Sequence, residues 1–198
     1  VPRTYSVPFA LLALACAPLA VSAMSLDEAR AAEIKFDRIA TSQLKPGEVV
    51  VVTDEELNSY LHYIYAEEMP DGVRGLRVGF RKDRAHVRAI VDFSKVSANG
   101  DGPGGFLMMF LRGERPVEAL VRYVSSRGVA RIDVDSFKVD GREMKGVLLN
   151  WMVNRFVAPN LEGFQLGEPV DLGNDLEQIR LELGEAVVTA KEPPSAAQ

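Results

Sequence analysis

Residues 73–96 read VRGLRVGFRKDRAHVRAIVDFSKV, and their period decides the fold. Leu76, Val78 and Phe80 alternate with Arg77 and Arg81. After Lys82-Asp83-Arg84, Val87, Ala89, Val91 and Phe93 alternate with His86, Arg88 and Asp92. Strand side chains point to opposite faces with a period of two, so this stretch specifies an antiparallel hairpin with one apolar and one charged face. The charged face meets water, and the apolar face needs a cover from elsewhere in the chain.

Upstream, Thr53-Asp54-Glu55-Glu56 sets a threonine N-cap before acidic residues that suit the positive end of a helix, with a glutamate placed to close a capping box. Leu57, Tyr60, Leu61 and Ile64 follow at helical spacing, and Pro70-Asp71-Gly72 ends the element. An earlier helix is expected from Ser25 to about Ser42, with Ser25 as N-cap and Glu28 as its capping-box partner; Glu48 to Val52 then reads as a buried strand. Downstream, the Gly-rich loop 99–105 precedes an apolar patch, Phe106 to Leu111, that includes Met108 and Met109. A second strand pair is expected over Pro116–Val124 and Val129–Val139, closed by Asp140-Gly141. Met144 to Val157 reads as a broad-faced apolar helix carrying Leu148, Trp151 and Met152, and Gln178–Leu183 with Glu185–Ala190 as a closing hairpin.

The 198 residues, 47% hydrophobic and 26% charged, fit one well-buried globular domain. The net charge of −5 is spread along the sequence, so no basic face is expected and nucleic acid is not an expected partner. Arg3 followed by the apolar run Val7–Val21 and by Val21-Ser22-Ala23 reads as a signal peptide over residues 1–23. This places the protein in the periplasm or outside the cell. The alternative is a lipoprotein anchored through Cys16, since Ala13-Leu14-Ala15-Cys16 loosely follows a lipobox. The remaining chain divides into an N-terminal helical segment over 24–46, an α+β domain over 47–191 and a tail over 192–198.

Catalytic signals are sparse. His62 and His86 are the only histidines, and no G-x-S-x-G surrounds Ser59, Ser125 or Ser126. Asp133 and Asp135 share one strand face, but two carboxylates fall short of the six to eight oxygens that calcium takes. No H-E-x-x-H or P-loop occurs, so no cofactor or metal is expected. A hydrolase whose triad assembles only in space is a remaining alternative.

The succession TDEELNSYL at Thr53–Leu61, VDFS at Val91–Ser94, DSFKVDG at Asp135–Gly141 and VLLNWMV at Val147–Val153 resembles the LmeA-like phospholipid-binding family of bacterial envelopes, over about Glu48 to Ala190. The resemblance implies half of a tubular lipid-binding (TULIP-like) fold, in which a curved antiparallel sheet wraps one or two amphipathic helices around an apolar trough. It implies a non-enzymatic role and transfers no catalytic residue. The expected ligand is a phospholipid or other apolar molecule, held by Leu61, Ile64, Val78, Phe80, Val91, Phe93, Met108, Met109, Leu148, Trp151 and Met152. The alternative is an adaptor that docks another envelope protein through the same surface, and peripheral membrane contact fits either reading.

Overall fold

The computed structural model describes residues 24–96, 111–156, 165–173 and 175–192; the expected signal segment, Cys16, Met108 and Met109 lie outside them. Its described elements are α1 (Leu26–Ala40), β1 (Val49–Thr53), α2 (Asp54–Tyr63), a 3-10 turn (Tyr65–Glu67), β2 (Val73–Arg81) and β3 (Arg84–Asp92). These are followed by a one-turn α3 (Phe93–Val96), β4 (Glu114–Ser126), β5 (Val129–Val139), β6 (Arg142–Glu143), α4 (Val147–Phe156), β7 (Pro169–Asp171), β8 (Leu176–Glu182) and β9 (Glu185–Ala190). The fold class is α+β and the strands pair antiparallel.

The strands divide between two sheets, where the sequence pattern suggested one. A large sheet runs β2-β3-β4-β5-β6 with β7 also on β5, and a small one runs β1-β9-β8. Side chains and turns tie them together: Ser125 Oγ donates to Ile179 O and accepts from Ile179 N, both at 2.8 Å, and Gly128 N–H donates to Glu177 O. Arg127 and Gly128 both adopt positive φ in the two-residue turn between β4 and β5. A Cβ at Gly128 would stand 3.0 Å from Lys191 Cε and 3.4 Å from Leu176 O, so glycine serves both the turn and the approach of β8.

The hairpin of residues 73–96 forms as its period requires, with Val78 opposite Val87 and Phe80 opposite Ala85. It ends one residue early. Phe93 opens α3 instead of closing β3, because Asp92 Oδ1 accepts the Ser94 N–H and turns the chain. The last long helix likewise starts at Val147, after Gly146 at positive φ, so Met144 lies outside it, its N–H bonded to Phe137 O.

Both helix starts predicted from capping residues are present. Thr53 and Glu56 close their box reciprocally. At α1 the Ser25 side chain caps the Glu28 N–H as expected, but the Ser25 N–H donates to Ser59 Oγ, which donates on to Glu28 Oε2. A serine of α2 thus completes the cap of α1 and is itself fully buried. The Lys35–Glu56 ion pair and the edge-to-face Phe36–Tyr60 contact fasten the same two helices.

The helix α2 guards the free edge of β2, where the sequence pattern placed it against the concave face. Asn58 presents its Oδ1 to the Val78 N–H at 2.8 Å and its Nδ2 to the Val78 carbonyl at 2.7 Å, as a neighbouring strand would, and Asp54 Oδ1 accepts the Phe80 N–H. Burial holds the Asp54 carboxyl above its usual range, and the Phe80 hydrogen bond opposes that. Asn58→Ala removes both Val78 bonds at once. The expected cost is about 2 kcal/mol of stability in a denaturant titration, with Asn58→Asp recovering only the half that accepts.

Candidate functional site

Residues directly opposite one another share a sheet face, so the register defines the inner face of the large sheet. Along β3 it carries Ala85, Val87, Ala89 and Val91; along β4, Val117, Ala119, Val121 and Tyr123; along β5, Ile132, Val134, Phe137 and Val139. Apart from Arg115, which stands opposite Val91 at one end, the face these residues form is apolar or aromatic, so its desolvation drives folding.

Two clusters cover its ends. At one end Val91, Phe93, Leu111, Val117, Phe137, Val139 and Leu148 form the main core, with Trp151 and Met152 of α4 packed against it. At the other, Phe80, Leu181 and Ala186 are buried together, with Leu57, Val78, Ala85 and Tyr123 around them. A third cluster, Val50, Leu176 and Val188, joins the small sheet to Ile39 and Leu44.

Between the two end clusters the face is less well covered. Val87 and Val121 are half-buried and belong to none of the three clusters, and their neighbours Ala119 and Val134 are also half-buried. The helix α4, packed on the main core, shows the same pattern. At about 100° per residue, Leu149 and Met152 point between Leu148 and Val153; those two are buried, yet Leu149 and Met152 are only half-buried. An apolar strip two strands wide therefore remains partly wet in the middle of a face that is sealed at both ends.

At the margin of the strip sits Tyr123, whose buried hydroxyl has no hydrogen-bond partner. Burial pushes its pKa up to about 12; the nearby Ser125 hydroxyl pulls it the other way, but Ser125 is committed to Ile179. A phenol held protonated in this setting is a donor without an acceptor.

The residues predicted to line a ligand site separate into several places. Val91, Phe93 and Leu148 are between 0% and 2% exposed and fill the main core, with Trp151 and Met152 beside them. Phe80 is buried in the opposite end cluster, where Val78 flanks it. Leu61 lines a separate cleft of about 160 Å³ with Met69, Val73 and Leu76, beside the bulged start of β2, and Ile64 is half-buried at the C-cap of α2. Met108 and Met109 lie outside the described residues. Val87, Val121, Ala119 and Val134 were missed as lining residues, although Val117, Ala119, Val121 and Tyr123 alternate with Glu118, Leu120 and Arg122 much as β3 alternates.

The polar candidates are engaged elsewhere. His62 is exposed and meets Tyr63 edge-on, while His86 lies on the outer sheet face, 3.9 Å from Glu118. Ser59 and Ser125 have their hydroxyls committed as described above. Asp135 bulges outward from β5, because Leu120 pairs with Ser136 but Val121 with Val134. Arg84 and Arg122 converge on its carboxylate, and their hydrogen bonds, Arg84's first, hold its pKa below the usual range. Among the described residues no group of three or more His, Cys, Asp or Glu side chains could hold a metal ion, and no helix is long and apolar enough to cross a membrane.

Fold and site together define an α+β protein with an incompletely covered apolar sheet face. The chain matches no family model, no curated protein and no solved structure.

Proposed function

We propose that the protein is a non-enzymatic, exported envelope protein that holds an acyl chain or comparable apolar ligand along the inner face of β3 and β4. The resemblance to the LmeA-like family belongs to this proposal, as does the TULIP-like idea of a sheet curving around its helices to make a trough. The observation that carries the reading is the pair Val87 and Val121, half-buried at the centre of an apolar face whose two ends are closed. Water against such a strip costs free energy that an acyl chain would recover, at about 0.8 kcal/mol per methylene removed from water. In this reading the half-buried Leu149 and Met152, which pack against the adjoining main core, border the strip at that end, and methionine adapts to contents of irregular shape.

The test replaces valine by its polar isostere. Val87→Thr with Val121→Thr keeps shape and β-branching but sets two hydroxyls against the ligand. Each unpaired hydroxyl costs about 1–3 kcal/mol, so affinity for a fluorescent fatty-acid probe should fall at least tenfold while the melting temperature stays within a few degrees. Native mass spectrometry of the purified protein should show lipid on the unaltered chain and less on the double variant. A lipid-free chain that leaves the probe unbound would sink the proposal, and a stable lipid-free complex with another envelope protein would favour the adaptor role instead.

A further inference from the structure

The charges that look evenly scattered along the sequence gather on folding. On the outer face of the large sheet, Arg77, Arg88, Glu118, Lys138 and Glu143 form one cross-strand row, and Arg81, Arg84, Arg122 and Asp133 form another, with the bulged Asp135 beside it. The row between them holds Gly79, His86, Leu120 and Ser136 and carries no fixed charge. Six cations thus face four carboxylates, an excess of positive charge on a chain whose net charge is −5. Arg77 stands directly opposite Arg88, a like-charge pairing that weakens a sheet. Glu118, opposite Arg88, has its carboxylate 3.9 Å from His86 Nε2, and neither Arg88 nor Lys138 has an ion-pair partner among the described residues. Glu143, next to Lys138 on β6, is held by Lys145.

We infer that this outer face docks on an anionic phospholipid surface. The charged rows are four residues apart along the strands, about 13 Å, and span four strands at about 4.8 Å each. That spread suits a plane of many negative groups better than one chelated phosphate. The same face continues into Val124 and Val129, 53% and 42% exposed, which can enter the headgroup boundary beside the cations. Among the described residues of these rows His86 is the one ring on which a nucleic-acid base could stack, with no Phe, Tyr or Trp beside it. The inference uses the opposite face from the apolar strip and does not require the strip to hold a ligand.

Vesicle co-sedimentation tests it, using phosphatidylcholine alone and phosphatidylcholine with phosphatidylglycerol. Each cation near such a surface contributes roughly fivefold to partitioning, so Arg88→Gln with Lys138→Gln should weaken binding to the anionic vesicles about 25-fold. Removing Arg88 relieves its opposition to Arg77, so melting should be unchanged or slightly higher, which separates lost docking from lost folding. Arg30→Gln, on the exposed side of α1, is the control and should bind as the unaltered chain does. Binding that high salt abolishes and neutral vesicles do not support is the expected result. Equal binding to neutral vesicles, equal loss in the Arg30 control, persistence in the double variant, or preferential binding of an oligonucleotide would each overturn the assignment. Fatty-acid probe uptake by the same variants keeps the two ideas apart: uptake retained with docking lost is expected of the glutamine pair, and docking retained without uptake would remove the apolar-strip proposal alone.

Discussion

Phe93→Ala should destabilise the protein by roughly 3–5 kcal/mol, the range for removing a fully buried phenylalanine whose cavity cannot collapse. Phe93 is completely buried, follows directly on β3, and lies with its ring centroid 6.4 Å from that of Trp151. Its N–H is fixed to Gly113 O at 3.0 Å, so the backbone on which the ring is mounted has little freedom to shift and fill the void. The loss is large against the ~5–15 kcal/mol of a typical domain. The measurement is the denaturant midpoint at unchanged slope. A loss under about 1 kcal/mol would mean that the ring contributes little packing, and would move Phe93 from core back to candidate ligand wall. The contrast with Val87→Thr plus Val121→Thr matters here: the first substitution strikes stability, and the second should strike binding while leaving stability nearly untouched.

That contrast marks how far the site was legible in the sequence. Period two in residues 73–96 identifies which side chains share a face, and it placed Val78, Val87, Val91, Arg77 and Arg88 correctly. It carries no information about what lies over that face. Phe93 and Leu148 look, as sequence, as ready to line a trough as Val121 does, yet they are sealed and Val121 is not. The difference comes from α4, which reaches one end of the sheet, and from β8 and β9, which cover the other. Both are long-range placements that local pattern does not encode.

The capping signals were read more reliably because their partners are three residues away. Thr53 and Glu56 form the expected box, whereas the Ser25 cap is completed by Ser59, 34 residues on, which local spacing could not reveal. Asn58 is a similar case. Within a helix it reads as an ordinary polar residue, and only the arrival of β2 makes it a substitute strand. The cationic outer face was missed for the same reason. Arg77, Arg88, Arg122 and Lys138 are separated in sequence by acidic residues, and register alone brings their rows together.

The second large effect is expected in ligand binding. A series of fatty acids of increasing length should bind progressively tighter, by about fourfold for each methylene and thus about 250-fold over four carbons, because each methylene removed from water contributes about 0.8 kcal/mol. On β3 the open strip is centred on Val87 and bounded by Ala85, packed against one end cluster, and Ala89, packed against the other, four residue steps or about 14 Å apart. Affinity should therefore stop rising once the chain outgrows that length, unless the ligand turns across the strands. Isothermal titration along the series gives both the slope and the break. The threonine pair sharpens the result: chains long enough to cross Val87 and Val121 should lose affinity in the variant by a constant factor, while those too short to reach them should bind both proteins alike. A series flat from its first member would mean that no methylene leaves water on binding, and the half-buried valines would then be incompletely packed core with no ligand to cover them.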